Sequence, residues 1–162
     1  ADYIRWALEV PGVTRAWVQS QAFGAGTVGV WFTMDDTYAD GIPQAADVAA
    51  VQAAIDLQAP ITANATAAAP IADPMPIQVT GLHPFNSTVV AAVKAELAEL
   101  IKQRAEVSTT SSPFYFRMSW VWQAVSNATG ERYHTVALPN VDYLVPAGSL
   151  PVYDENFVQI GA

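Results

Sequence analysis

The sequence predicts an α+β fold of two small consecutive units, residues 1–73 and 74–162, each a short, mostly antiparallel sheet packed by one or two helices. Three observations carry this. Large apolar residues alternate with period two on both sides of Gly24-Ala25-Gly26, apolar stripes recur at helical spacing over 44–57 and 87–104, and Pro70, Pro74 and Pro76 crowd the middle of the chain.

Taken in order, Asp2 is placed to cap a short helix carrying Tyr3, Ile4, Ala7 and Leu8 on one side, which Pro11-Gly12 ends. The hairpin around which the chain is organised spans 11–36. Val13, Ala16, Trp17 and Val18 precede its glycine turn; Val28, Val30, Phe32 and Met34 follow on one face, with Thr27, Gly29, Trp31 and Thr33 on the other. Such alternation about a glycine turn means a hairpin with one face buried. Asp35-Asp36 stops it, because paired like charges do not suit a ladder interior. Residues 37–42 read as a loop, and Pro43 as the first turn of a helix whose Val48, Val51 and Ile55 pack on the hairpin. Pro60 closes that helix, and 61–68 is a weak third strand. The three prolines remove donors and stiffen the chain, which places the division near residue 73.

The second unit opens with a strand, Ile77 to Leu82. A helix from Ser87 to Arg104 follows, with Val89, Val93, Leu97, Leu100 and Ile101 on one stripe. Ala91, Ala95 and Ala98 share the reverse face with Lys94 and Lys102, read as a solvated face of good helix formers. Residues 107–113 are a polar loop. The stretch after it fits both periods, so it is divided at Ser119 as a cap: strand 114–118, then helix 120–128 stopped by Gly130. A strand resumes over 132–138. Short extended pieces, 141–145 and 157–160, flank a Pro-Ala-Gly turn.

With 162 residues and 17.3 kDa, the chain can bury a core without staples. Hydrophobic residues make up 52% and charged ones 14%, which leaves apolar surface for partners. Net charge is −8, and between Ala1 and Leu82 only Arg5 and Arg15 oppose eight carboxylates. Such a surface repels phosphate backbones and anionic membranes, so nucleic-acid and membrane partners are excluded. No cysteine is present, which removes disulfides and thiolate sites. No signal-like leader and no bilayer-length apolar stretch occurs, so the chain reads as soluble and the Asn-X-Ser/Thr triplets at Asn64, Asn86 and Asn127 as incidental.

Candidate chemistry is sparse. Gly24-Ala25-Gly26 would hold a dinucleotide only with a helix after it, and a strand follows. Asp35, Asp36 and Asp40 could gather a hard cation, yet they lack EF-hand spacing, and neighbouring carboxylates on an extended chain point apart. His83 and His134 share no spacing with a second ligand and read as packed or surface side chains. No Gly-X-Ser-X-Gly elbow supports a serine triad. Trp6, Trp17, Trp31, Trp120 and Trp122 would suit sugar stacking, but all lie in periodic segments and default to core. Trp31, opposite Val28 and Val30, is expected either to meet a helix or to project as an interface anchor. No catalytic, cofactor or metal residue is assigned.

Several motifs nevertheless occur in a recognisable order. They are Pro-Gly-Val-Thr-Arg-Ala-Trp-Val at 11–18, Gly-X-Gly-Thr-Val-X-Val from Gly24, the acidic pair and Gly-X-Pro at 41–43. Leu-X-Pro at 82–84, Ser-X-Val-X-X-Ala-Val-X-X-X-Leu at 87–97, Ala-Val-Ser-Asn-Ala-Thr-Gly-Glu-Arg at 124–132 and Leu-Pro-Asn-Val-Asp at 138–142 complete the set. This ordered set resembles the baseplate J-like family of contractile-tailed bacteriophages, and its C-terminal part in particular. The resemblance implies a structural subunit of a phage or prophage baseplate wedge, located in the virion tail and assembled in the host cytoplasm, with no catalytic residues or cofactor to carry over. It implies that the chain is a piece of a longer protein, whose partners are other baseplate subunits and the rest of its own chain. Copies carrying −8 repel, so the isolated chain is expected to be monomeric or weakly self-associating. Residues 108–116, Ser-Thr-Thr-Ser-Ser-Pro-Phe-Tyr-Phe, depart from the family's glycine-containing turn. The alternatives are a carbohydrate- or receptor-binding module of a phage tail, and a small hydrolase using Asp35, Asp36 or His134.

Overall fold

The alternating run forms the hairpin β1 (Arg15–Ser20) and β2 (Thr27–Thr33) in the computed structural model, which describes residues 2–162. Its strands pair antiparallel with Val18 opposite Val30 and Ala16 opposite Phe32. The turn is longer than the three expected residues. Gln21 N donates to Thr27 O at 2.7 Å, and the Thr27 hydroxyl donates to Gly24 O at 2.7 Å, tying a six-residue loop in which Gln21, Gly24 and Gly26 have positive φ.

Before the hairpin, α1 (Tyr3–Leu8) buries Trp6 and Ala7 and leaves Ile4 and Leu8 exposed, against expectation. The buried stripe is Tyr3, Trp6, Ala7 and Val10, the i, i+3, i+4, i+7 set that the helical period selects. Asp2 supplies no side-chain cap either; its carboxylate pairs with Arg5 at 3.2 Å. After the hairpin, α2 (Ala45–Gln58) begins at the N-cap Gln44, so Pro43 lies just outside the helix rather than in its first turn. Asp47 accepts from Gln44 N at 2.9 Å. This helix returns the chain to β3 (Asn64–Ala68), which pairs parallel with β2 and completes a sheet of order β1-β2-β3. Ala7, Val30, Phe32, Met34, Val51, Ile55 and Ala67 form the core on the helical side. The other face of β2 is closed as well: Thr33 is fully buried and Trp31 is 8% exposed. Trp31 lies against Phe23, and a Cβ on Gly148 would stand 3.8 Å from its indole, so it meets neither a helix nor open solvent.

That contact follows from how the chain divides. Two compact units form: the first runs to Ala72 and takes in Val107–Ser112 and Ala147–Ser149, and the second comprises Asp73–Glu106, Pro113–Pro146 and Leu150–Ala162. The proline-rich stretch, read as a bare division, contains a strand, β4 (Ile71–Pro74). Two features make this compatible with its prolines: Ile71 N donates to Gly148 O, and Pro74 ends the strand.

In the second unit β5 (Ile77–His83) is central, α3 (Ser87–Arg104) follows, and β6 (Tyr115–Phe116) leads into α4 (Met118–Ser126). Then come β7 (Tyr133–Leu138), β8 (Tyr143–Leu144), β9 (Ser149–Val152) and β10 (Val158–Ile160). One sheet has order β10-β5-β7, antiparallel between β5 and β7 and parallel between β10 and β5. β4 pairs with β9, and β6 with β8. The α+β class holds.

Val89, Val93, Leu97 and Ile101 are the buried stripe of α3, and Ala91 and Ala95 are exposed as expected. The Asn86 side chain accepts from Val89 N at 3.0 Å, capping the helix. Ser119 does not cap α4. The helix starts at Met118, two residues before the expected 120, and Asp142 takes the cap by accepting from Met118 N at 3.0 Å. A strand over Ser149–Val152 replaces the open chain expected after the Pro-Ala-Gly turn.

Candidate functional site

Of the polar residues singled out by the sequence, Asp36 is exposed with no hydrogen-bond or ion-pair partner among the described residues, and most of the others are already engaged. Asp35, at the end of β2, accepts from the Thr14 hydroxyl at 2.6 Å, from Arg15 Nε at 2.9 Å and from the Thr33 hydroxyl at 3.1 Å, with Arg15 Nη2 at 3.1 Å from its second oxygen. Burial alone would raise its pKa, but these donors outweigh burial and hold the carboxyl below its ordinary value. Four donors, three of them on one oxygen, fix this carboxylate as a structural anchor of the strand end. Asp40 accepts from Ile42 N at 3.0 Å, which makes it a local turn residue. Among the described residues, no three His, Asp or Glu side chains gather where a metal could be held.

The histidines lie in the second unit. His83 stacks on Tyr133 with ring centroids 4.9 Å apart and planes 8° from parallel. His134 Nδ1 is 3.0 Å from Glu131 Oε1, and its ring lies 5.5 Å from Trp122. Both side chains of this pair are about nineteen-twentieths buried, and His134 Nε2 meets no partner among the described residues. A general base needs that nitrogen open to a substrate. Here it is walled in.

An open groove of about 190 Å³ runs between α3 and α4, lined by Glu96, Glu99, Gln103, Arg104, Trp120 and Gln123 among others. Its composition would suit a sugar. However, the Arg104 guanidinium stands 5.0 Å over the Trp120 ring, and Phe116 meets that ring edge-on at 5.2 Å, so the stacking surface is taken. Trp17 is likewise covered by Arg15 at 5.1 Å. Of the five tryptophans Trp122 is the most exposed, at 39%, and it leans on His134.

What sequence reasoning missed is the treatment of the first sheet's edges. On β3, Gln52 of α2 donates from Nε2 to Ala65 O at 3.0 Å and accepts from Ala67 N at 2.7 Å, so one carboxamide occupies two of the strand's outward groups. β1 is different. The Gln21–Thr27 bond sets the alternation, so Trp17 and Gln19 turn their backbone groups toward β2, and Ala16 and Val18 turn theirs outward. Among the described residues nothing meets the outward groups of Ala16 and Val18. Their side chains lie on the core face yet remain half-buried, whereas Val30 and Phe32 opposite them are fully buried.

Comparison with known proteins bears on this arrangement. Residues 1–69 match the model of the Baseplate J-like central domain. The chain is 33% identical over 151 residues to the Mu-like prophage FluMu protein gp47 of Haemophilus influenzae, covering 87% of this chain and 40% of that protein. It is 30% identical over 139 residues to the putative protein JayE of Escherichia coli K12, covering 85% of this chain and 50% of that one. A 47-residue stretch is 57% identical to baseplate protein gp47 of Escherichia phage Mu, covering 29% of this chain and 13% of that protein. The chain thus spans half or less of the length of these relatives.

Proposed function

Because the chain is a member of the baseplate J-like family, we propose that it is part of a structural subunit of a phage or prophage contractile-tail baseplate, where it serves as a wedge scaffold. The observation that carries this reading is that the residues matching the central-domain model make up most of one packed unit whose distinctive polar groups are spent on holding it together. A scaffold needs buried area and rigid strands; an enzyme needs polar groups left free to converge. On this reading the chain carries no catalytic, metal or cofactor residue. Its partners are other tail subunits and further segments of its own protein, it resides in the virion tail after assembly in the host cytoplasm, and its two units are separate domains. Covered tryptophans disfavour the sugar-binding alternative.

Deleting the coding region from its phage or prophage tests the proposal. Tail sheath and tube should then fail to assemble on a baseplate in negative-stain micrographs, and complementation should restore them. Normal contractile tails in the deletion would overturn it. Alone, the chain is monomeric or weakly self-associating, because copies of net charge −8 repel and the contacts it makes belong to other surfaces. Light scattering at micromolar concentration checks this, a tight salt-insensitive oligomer being the contrary result.

A further inference from the structure

We propose that the outer edge of β1, at Ala16 and Val18, is a docking site for an extended segment of a neighbouring tail subunit, which adds a fourth strand to the first sheet. The inference rests on the scaffold reading above and goes beyond it by naming a surface and the kind of segment it takes.

Three observations converge. First, the sheet treats its two edges differently: Gln52 lies along β3 and occupies Ala65 O and Ala67 N, while the N–H and C=O groups of Ala16 and Val18 are left without partners among the described residues. Unpaired strand edges invite another strand, and proteins that must not pair there blunt them with lysine, proline or inward charge. β1 carries one charge, Arg15, which is engaged by Asp35 and lies over Trp17; from Ala16 to Ser20 the sequence, Ala-Trp-Val-Gln-Ser, carries none of these. Second, the core under β1 is unfinished, since Val13, Ala16 and Val18 are only partly covered although the residues opposite are fully buried. A strand beside β1, with apolar residues at alternate positions, would complete that layer. Third, the charge of the unit selects the segment. Seven carboxylates precede Asp73 against Arg5 and Arg15 alone, and each arginine is paired with a carboxylate of its own. The segment that fits is therefore extended, apolar on one side and bears lysine or arginine. A second copy of this acidic chain does not meet that description.

Amide hydrogen exchange on baseplates purified from cells producing all the tail proteins tests this. In the free chain the amides of Ala16 and Val18 should exchange fast while those of Trp17 and Gln19 are slow. In the baseplate the first two should slow by at least about tenfold. Val18→Pro removes one outward N–H and leaves the inward bonds of Trp17 and Gln19 in place; it should cut incorporation into baseplates well below that of Val18→Ala, which trims the same core-facing side chain but keeps the N–H. If the chain is incorporated but Ala16 and Val18 exchange as fast as before, the docking site is wrong and the scaffold reading stands. If the full-length protein that carries this chain is never incorporated, both fall. Slowing that appears with rising concentration of the free chain alone, or already in the isolated full-length protein, would make the occupant a second copy or a segment of the same protein and overturn the proposal.

Discussion

Gln52 on α2 and Ala67 on β3 meet through a 2.7 Å bond in which the backbone N–H donates to the side-chain oxygen, and Ala67 is 5% exposed. The same carboxamide donates to Ala65 O at 3.0 Å, which makes Gln52 a one-residue substitute for a neighbouring strand. Gln52→Leu keeps bulk and helix propensity but strands a buried donor and acceptor. Unfolding in urea should show a loss of about 1–3 kcal/mol. A variant as stable as wild type would mean that water replaces the carboxamide without penalty.

Asp35 gives the chain an acid-sensitive fastening. Its pKa in the folded state lies below the ordinary 3.8, because the Arg15, Thr14 and Thr33 donors outweigh the effect of burial. A carboxyl depressed by folding adds stability in full above its unfolded value, and that contribution is lost as pH falls through the folded value. Asp35→Asn should therefore be less stable than wild type at pH 7, by roughly 1–3 kcal/mol for bonds to a charged group. The gap should narrow as pH drops below 4. Melting temperatures across pH 2 to 7 decide it, and a gap constant with pH would remove Asp35 from the acid response.

Where one period dominated, the fold was legible. The hairpin and the stripe of Val89, Val93, Leu97 and Ile101 needed only alternation of two or 3.6. Segments fixed by distant partners were not. β4 and β9 are four residues each, contain proline, and exist because they pair with each other. The edge role of Gln52 was invisible because a glutamine on a helix carries no mark of the strand it will reach. The open edge at Ala16 and Val18 was hidden for a similar reason, because it is a property of register.

Asp142 and Ser119 make a direct contest over who caps α4. Asp142 accepts from Met118 N at 3.0 Å and from Arg117 Nη1 at 2.9 Å, and these donors hold its pKa low. Asp142→Ala should lower the melting temperature and fray the start of α4, raising amide exchange at Met118. Ser119→Ala, inside the helix and exposed, should be neutral or slightly stabilising. The reverse order would return the cap to Ser119.

Gly29 and Gly26 separate two reasons for glycine in one hairpin. A Cβ on Gly29 would stand 2.6 Å from Ala22 Cβ and 2.9 Å from Trp31 Cη2, in a strand with ordinary φ, so the residue is there for space. Gly26 has φ of +78° and open space around it, so it is there for conformation. Gly29→Ala forces Trp31 or the 21–26 loop to shift and should cost about 1–3 kcal/mol, as overpacking does. The indole should report that shift as a change in tryptophan fluorescence. Gly26→Ala bears only the left-handed strain, about 1 kcal/mol, and should leave the Trp31 signal unchanged. If Gly29→Ala left both stability and fluorescence as they were, Trp31 would not be wedged against the strand. The outer face of β2 would then be looser than its 8% exposure implies.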